Sequence, residues 1–165
     1  MDQIELDLAR REAGSEYLSA LRTLGLRPDA LFWSFDKVEG RFVLMLVTEM
    51  VDFKGPLAVA DLLFQAYNAS ATPKEIDPFV VRLHSPEHDI IRRFDGWKDP
   101  SKVTITPPPG GLPIDPSVMV TGIEIGGLMF QAAWVYHFAL PPKRKSVDLS
   151  RRWSRFAHNV ERLAA

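Results

Sequence analysis

The sequence contains no cysteine among its 165 residues. This absence excludes structural disulfides, thiolate metal sites, cysteine nucleophiles and iron–sulfur clusters. A chain without disulfides fits a reducing compartment. The acidic start, Met1 to Glu5, lacks the Lys or Arg of a secretory signal, and no apolar run follows it. We therefore expect a cytoplasmic location.

Long apolar runs and common catalytic motifs are also missing. The longest uncharged stretch of note, residues 125–140, falls short of the ~20 apolar residues that a membrane-spanning helix needs. The hydrolase turn G-x-S-x-G, the phosphate loop G-x-x-x-x-G-K-[ST] and the dinucleotide fingerprint G-x-G-x-x-G are absent. We therefore expect no membrane contact and no cofactor. The choice between enzyme and binding protein stays open, because a site assembled from distant residues leaves no local motif.

The sequence does contain enough apolar material for one core. Hydrophobic residues make up 46% of the chain and aromatic residues 10%. A chain of this length fits one domain of ordinary size, and its folding buries roughly 70% of the surface that the unfolded chain exposes. The sequence predicts a single globular domain over residues 1–165.

Hydrophobic periodicity locates the elements. A first helix, capped at Asp2, ends before Gly25, and a hairpin follows over residues 30–52. The second strand of that hairpin is apolar on both faces, which predicts a central strand covered on both sides. Next come a helix with a single charge (57–69), a short strand (79–83) and a helix that starts at Ser85-Pro86 and ends at Gly96.

Gly126-Gly127 predicts a two-residue turn within a second hairpin, residues 118–140. In this register Ile125 faces Leu128 and Ile123 faces Phe130, and Met119 and Trp134 lie on the same side of the sheet. A basic helix over residues 146–163 closes the chain.

This order of elements predicts an α+β fold. Short hairpin turns cannot make the long crossovers that parallel strands require. We therefore expect a mainly antiparallel sheet of about five strands built from the two hairpins, with helices at both termini, two helices between the hairpins, and the helices packed on one side. A doubly wound sheet is the alternative.

The segment from His84 to His88 has the letters H-x-x-E-H, in which some zinc peptidases bind metal through both histidines and use the glutamate as a base. That chemistry needs both histidines on one helix. Ser85 as a cap and Pro86 as the first helical residue would leave His84 outside the helix. We therefore favour a capped helix start over a metal site formed by His84, Glu87 and His88.

The second hairpin has a half-polar face formed by Glu124, Gln131 and His137. These side chains could line a small-molecule pocket, with His137 as an acid or base because its ordinary pKa lies near neutral pH. A solvated sheet face has the same pattern, and we favour that interpretation.

The net charge is −1, yet the last 23 residues hold seven of the 20 basic side chains. A basic patch contains six of them: Lys143, Arg144, Lys145, Arg151, Arg152 and Arg155. Clustered arginines grip phosphates, so nucleic-acid or anionic-surface binding is one hypothesis. The chain as a whole lacks the basic excess of nucleic-acid-binding domains, so we favour a solvated face whose arginines pair with the acidic body.

Two functional hypotheses of different classes rank above nucleic-acid binding. The first is a non-catalytic association module that forms homo-oligomers or binds a protein partner through the apolar helix 57–69 and the apolar second hairpin. The second is a small-molecule-binding protein or hydrolytic enzyme that uses the half-polar face of that hairpin.

Overall fold

A computed structural model describes residues 4–98, 123–140, 142 and 144–163. The described helices are α1 (Leu8–Leu24), α2 (Met50–Lys54), α3 (Pro56–Asn68), α4 (Asp89–Lys98) and α5 (Ser146–Leu163). The described strands are β1 (Ala30–Asp36), β2 (Arg41–Val47), β3 (Val81–His84), β4 (Ile123–Ile125), β5 (Leu128–Phe130) and β6 (Val135–Phe138). The predicted α+β class is confirmed. Residues 118–122 of the second hairpin, including Met119, lie outside the described residues.

The first helix begins later than Asp2. Asp7 is the N-cap, and its carboxylate accepts a hydrogen bond from the backbone N–H of Arg10. Gly25 ends the helix in the left-handed conformation, with a φ of 95°, and its N–H and that of Leu26 bond the last carbonyls of the helix. This reversal turns the chain directly into β1.

The described strands form one mostly antiparallel sheet in the order β3-β2-β1-β5-β4, with β6 pairing β1 beside β5. The predicted first hairpin is confirmed, from the pair Ala30 and Val47 to the pair Asp36 and Arg41. It ends before residue 52, because the short helix α2 starts at Met50. β3 pairs β2 in parallel at one edge of the described sheet.

Helices cover both faces of the sheet, and the expectation of helices on one side only is wrong. The larger core packs α1, α3 and α5 against one face, where Leu31 and Trp33 point. The smaller core lies on the other face, where the ring of Phe94 from α4 stacks on Phe32 at 4.7 Å. The apolar residues on both faces of β2 are buried in these two cores, as its sequence predicts.

The second hairpin keeps its predicted turn and register but not its length. Gly126 and Gly127 both have positive φ values, 58° and 81°, and Ile125 pairs Leu128. A short 3₁₀ turn at Ala132–Trp134 then interrupts the strand. This turn places Trp134 in the larger core, whereas Phe130 lies in the smaller one, so the two do not share a face as expected.

Tyr136 on β6 joins the sheet to α1. Its hydroxyl accepts a hydrogen bond from the indole N–H of Trp33 at 2.8 Å and donates to the carbonyl of Arg11 at 2.7 Å. A Cβ added at Gly14 would overlap this hydroxyl, so α1 can approach β6 closely only because residue 14 is glycine. Among the described residues, none of the helices has the combination of length and apolar character that crossing a membrane requires.

We predict that Tyr136→Phe lowers the free energy of unfolding by about 1–3 kcal/mol, because it leaves the Trp33 N–H without its acceptor in the core. Urea unfolding measures the change. Tyr67→Phe is the matched control, since its hydroxyl donates to the Lys74 carbonyl at an exposed position. Equal losses in the two variants would contradict the role given to Tyr136.

Candidate functional site

Two adjoining pockets open where the end of α1, the start of α2 and α5 meet. We call them together the arginine cleft. The first lobe has a volume of about 500 Å³ and the second about 650 Å³. Three arginines line both lobes, namely Arg27, Arg144 and Arg152. Arg151 and Arg155 line the first lobe alone, and Arg22 and His137 line the second alone.

The packing of α5 determines which arginines reach the cleft. Phe156 and Val160 are buried in the larger core, so the opposite side of the helix faces outward. The amide of Asn159 donates to the carbonyl of Leu24 at 2.9 Å, which ties α5 to the end of α1. Arg22 stands in the last turn of α1 and Arg27 follows the reversal at Gly25, so both come to lie near the arginines of α5.

The floor of the cleft is a buried ion-pair network around Asp29. Asp29 is 2% exposed, and its carboxylate accepts hydrogen bonds from the backbone N–H of Glu49 at 3.0 Å and from Arg144 at 3.2 Å. Arg144 also bonds the carboxylate of Glu49 at 3.3 Å. Burial raises the pKa of Asp29, while the positive charge of Arg144 opposes that shift. Arg144 is therefore held between two carboxylates.

The other five arginines of the cleft have no such partners among the described residues. In the part of the chain that the structure describes, Arg22, Arg27, Arg151, Arg152 and Arg155 make no ion pair within 4.0 Å. Most described arginines elsewhere do: Arg10, Arg41, Arg82, Arg92 and Arg93 each bond a carboxylate. Asp148 lines the first lobe without pairing a described arginine. The cleft therefore concentrates positive charge that the described part of the chain leaves uncompensated.

The structure divides the predicted basic patch. Arg144, Arg151, Arg152 and Arg155 line the cleft, Lys145 is exposed beside it, and Lys143 lies outside the described residues. The predicted pairing of these arginines with acidic groups is found, among described residues, for Arg144 alone. Sequence reasoning missed Arg22, Arg27, Asp29 and Glu49, which come from segments far away along the chain. Basic residues at a helix end are common, so no local signal distinguished Arg22.

The half-polar face of the second hairpin is not one site. His137 pairs Leu31 near the start of β1 and lines the second lobe of the cleft. Glu124 lies beyond the other end of β1 and forms an ion pair with Lys37 at 2.6 Å. Gln131 precedes the 3₁₀ turn between them. Only His137 of these three predicted residues joins the cleft.

The H-x-x-E-H segment forms a turn between β3 and α4. Glu87 is turned away to an ion pair with Arg92 at 2.7 Å. The hydroxyl of Ser85 accepts a hydrogen bond from the N–H of Glu87, and the helix begins only at Asp89, three residues after the predicted first helical residue, Pro86. Within the described residues, no group of three His, Cys, Asp or Glu side chains could hold a metal ion.

His84 and His88 bond each other instead. Their Nδ1 atoms are 3.0 Å apart, and His88 Nδ1 also accepts the N–H of Ser85. His88 Nδ1 is thus the acceptor and His84 Nδ1 the donor. The remaining nitrogen of His84, Nε2, is buried and has no hydrogen-bond partner among the described residues. Burial lowers the pKa of His84 to about 4, and electrostatic interactions with His88 and Arg82 add to the shift.

No protein-family model, curated protein or solved structure matches this chain. The side chains of the arginine cleft, through their distances, burial and charge, therefore indicate the function.

We predict that His84 makes the fold less stable in acid. Its folded pKa lies below the unfolded value of 6.5, so the stabilisation is complete above pH 6.5 and is lost as the pH falls toward 4. After allowance for partial exposure, the loss is about 2 kcal/mol. Urea unfolding at pH 7.5 and 4.5 should show a smaller change for His84→Gln than for the wild type. The control is the exposed His158→Gln, and a His84→Gln variant with the wild-type pH dependence would refute the assignment.

Proposed function

We propose that this protein binds a phosphate-bearing anion in the arginine cleft. The observation that carries the proposal is the set of five guanidinium groups, from Arg22, Arg27, Arg151, Arg152 and Arg155, that line one concave site without a described carboxylate partner. Like charges held close together repel one another, and a bound anion relieves that repulsion. The planar guanidinium fork also matches the oxygen geometry of phosphate.

The shape of the cleft supports a bound molecule over a loose cloud of counterions. Each lobe has a volume within the range of about 300–1,000 Å³ that is usual for ligand pockets. Concave walls of low dielectric focus the field of the charges that line them. The long-range attraction therefore leads an anion into a site that can surround it.

We propose binding rather than catalysis, because the described lining brings no nucleophile into contact with a base. Thr48 lines the first lobe, but its hydroxyl accepts the backbone N–H of Met50. His137, the candidate acid or base, lines the other lobe. The cytoplasmic location and the single-domain organisation expected from the sequence stay predictions.

We predict that the double variant Arg27→Gln/Arg152→Gln weakens pyrophosphate binding at least ~10-fold, since each charge-assisted hydrogen bond contributes about 1.5–3 kcal/mol. Isothermal titration calorimetry at low ionic strength measures the affinity. The matched control is Arg11→Gln/Arg162→Gln, which removes two exposed arginines outside the cleft. Added salt should weaken wild-type binding. Equal affinity in both double variants, or no binding by the wild type, would overturn the proposal.

A second candidate function is self-association. The structure leaves less apolar surface exposed for it than the sequence indicated. Most apolar side chains of α3 and of the described part of the second hairpin are buried in the two cores or pack against them. What remains is an apolar patch made of the contacting residues Phe64 and Phe79 and of Leu57, which lies two turns before Phe64 on the same side of α3. Leu57 is 84% exposed and Phe79 is 73% exposed, and the ring of Phe79 contacts that of Phe64 at 5.3 Å. We propose that a second copy of the chain covers this patch.

Sedimentation analysis over a range of concentrations tests this second proposal. We predict that the wild type gains mass with concentration and that Leu57→Ser/Phe79→Ser stays monomeric. Val38→Ser/Val147→Ser is the control, because it removes two exposed apolar side chains elsewhere. A wild type that remains monomeric at the highest concentration would remove this candidate.

A further inference from the structure

We infer that the ligand of the arginine cleft is a small organic molecule with two phosphate groups, one bound in each lobe. This inference rests on the proposed function, since it specifies the anion that the cleft takes. It depends on three features of the cleft: the placement of its charges, its size, and the side chains that line it.

The positive charge of the cleft has two poles. Arg151 and Arg155 provide the first pole in the first lobe, where they outnumber the carboxylate of Asp148, and Arg22 provides the second pole in the other lobe. Between the poles, Arg144 is held by Asp29 and Glu49, so this central group of three side chains carries no positive excess. Arg27 and Arg152 line both lobes and can contact either phosphate. Two separated anionic groups fit this pattern better than one anion at the centre.

The two lobes adjoin, and each is large enough for one anionic group. They share the lining residues Arg27, Arg144 and Arg152, and their volumes of about 500 and 650 Å³ lie in the range of small-molecule pockets. A ligand that reaches both lobes therefore needs only a short carbon skeleton, such as a sugar with a phosphate at each end.

The lining argues against a nucleic acid. Single strands are held largely by bases that stack on aromatic side chains along a continuous groove. Among the described residues that line the lobes, the imidazole of His137 is the sole aromatic ring. Trp153 of α5 packs on the larger core and lies over Lys54 instead. The described lining of the cleft therefore suits phosphate groups but offers no aromatic surface on which nucleic-acid bases could stack.

Calorimetric titration of the full chain at low ionic strength tests the inference with three probes: fructose 1,6-bisphosphate, glucose 6-phosphate and a 12-nucleotide single-stranded DNA. We expect the bisphosphate to bind at least ~10-fold more tightly than the monophosphate, because its second phosphate forms additional charge-assisted hydrogen bonds with arginines. Arg22→Gln and Arg151→Gln/Arg155→Gln should each reduce bisphosphate affinity to about that of the monophosphate. All three arginines are exposed, and Arg11→Gln is the control.

The alternative outcomes separate the two proposals. Equal affinity for bisphosphate and monophosphate, with loss in only one of the two variants, would overturn the two-phosphate inference and leave the anion site standing. Tighter binding of the oligonucleotide than of either sugar phosphate would overturn the inference in favour of a nucleic-acid site. No binding of any probe by the wild type would contradict both the inference and the proposed function.

Discussion

The buried carboxylate of Asp29 is the contact on which the rest of the arginine cleft depends. The backbone of this residue bonds Val47 of β2 and Ala139 after β6, and its side chain bonds the N–H of Glu49 and the guanidinium of Arg144. One residue thus joins the start of β1 to three other segments. A buried carboxylate is costly unless it is bonded to several donors, so Arg144 cannot leave it without a large penalty. Since Arg144 stands just before α5, this bond also fixes where the arginines of α5 begin.

The distribution of charge, rather than its total, distinguishes this molecule. The chain as a whole carries a net charge of −1, and most described arginines outside the cleft are bonded to acids. Inside the cleft the balance is reversed, because Arg144 engages the carboxylates of Asp29 and Glu49, and Asp148 is the one other acidic side chain among the described lining residues. The five remaining guanidinium groups are exposed, and their mutual repulsion in the free protein is what a bound anion relieves. Their electrostatic field is strongest in the concave lobes, so an anion is attracted most strongly there.

The sequence predicts the elements better than it predicts their assembly. The Gly126-Gly127 turn, the first hairpin and the helix over 146–163 all follow from local patterns, and the structure contains each of them. The 3₁₀ turn at Ala132–Trp134 was missed because tertiary packing, not local sequence, moves Trp134 to the other core. The cleft was foreseen only in part. Asp29 and Arg144 are 115 positions apart, and no spacing rule relates residues that meet through the fold of a sheet.

The most direct test of the anion-binding cleft observes the arginine side chains themselves. Nitrogen-15 NMR spectra of the arginine Nε–H groups, recorded while pyrophosphate is added, report each guanidinium separately. We expect signals from five arginines to shift and saturate together: Arg22, Arg27, Arg151, Arg152 and Arg155. The signals of the paired residues Arg10, Arg41 and Arg93 should stay in place. Small, unsaturated shifts spread over all arginines would show a diffuse counterion effect and contradict a site.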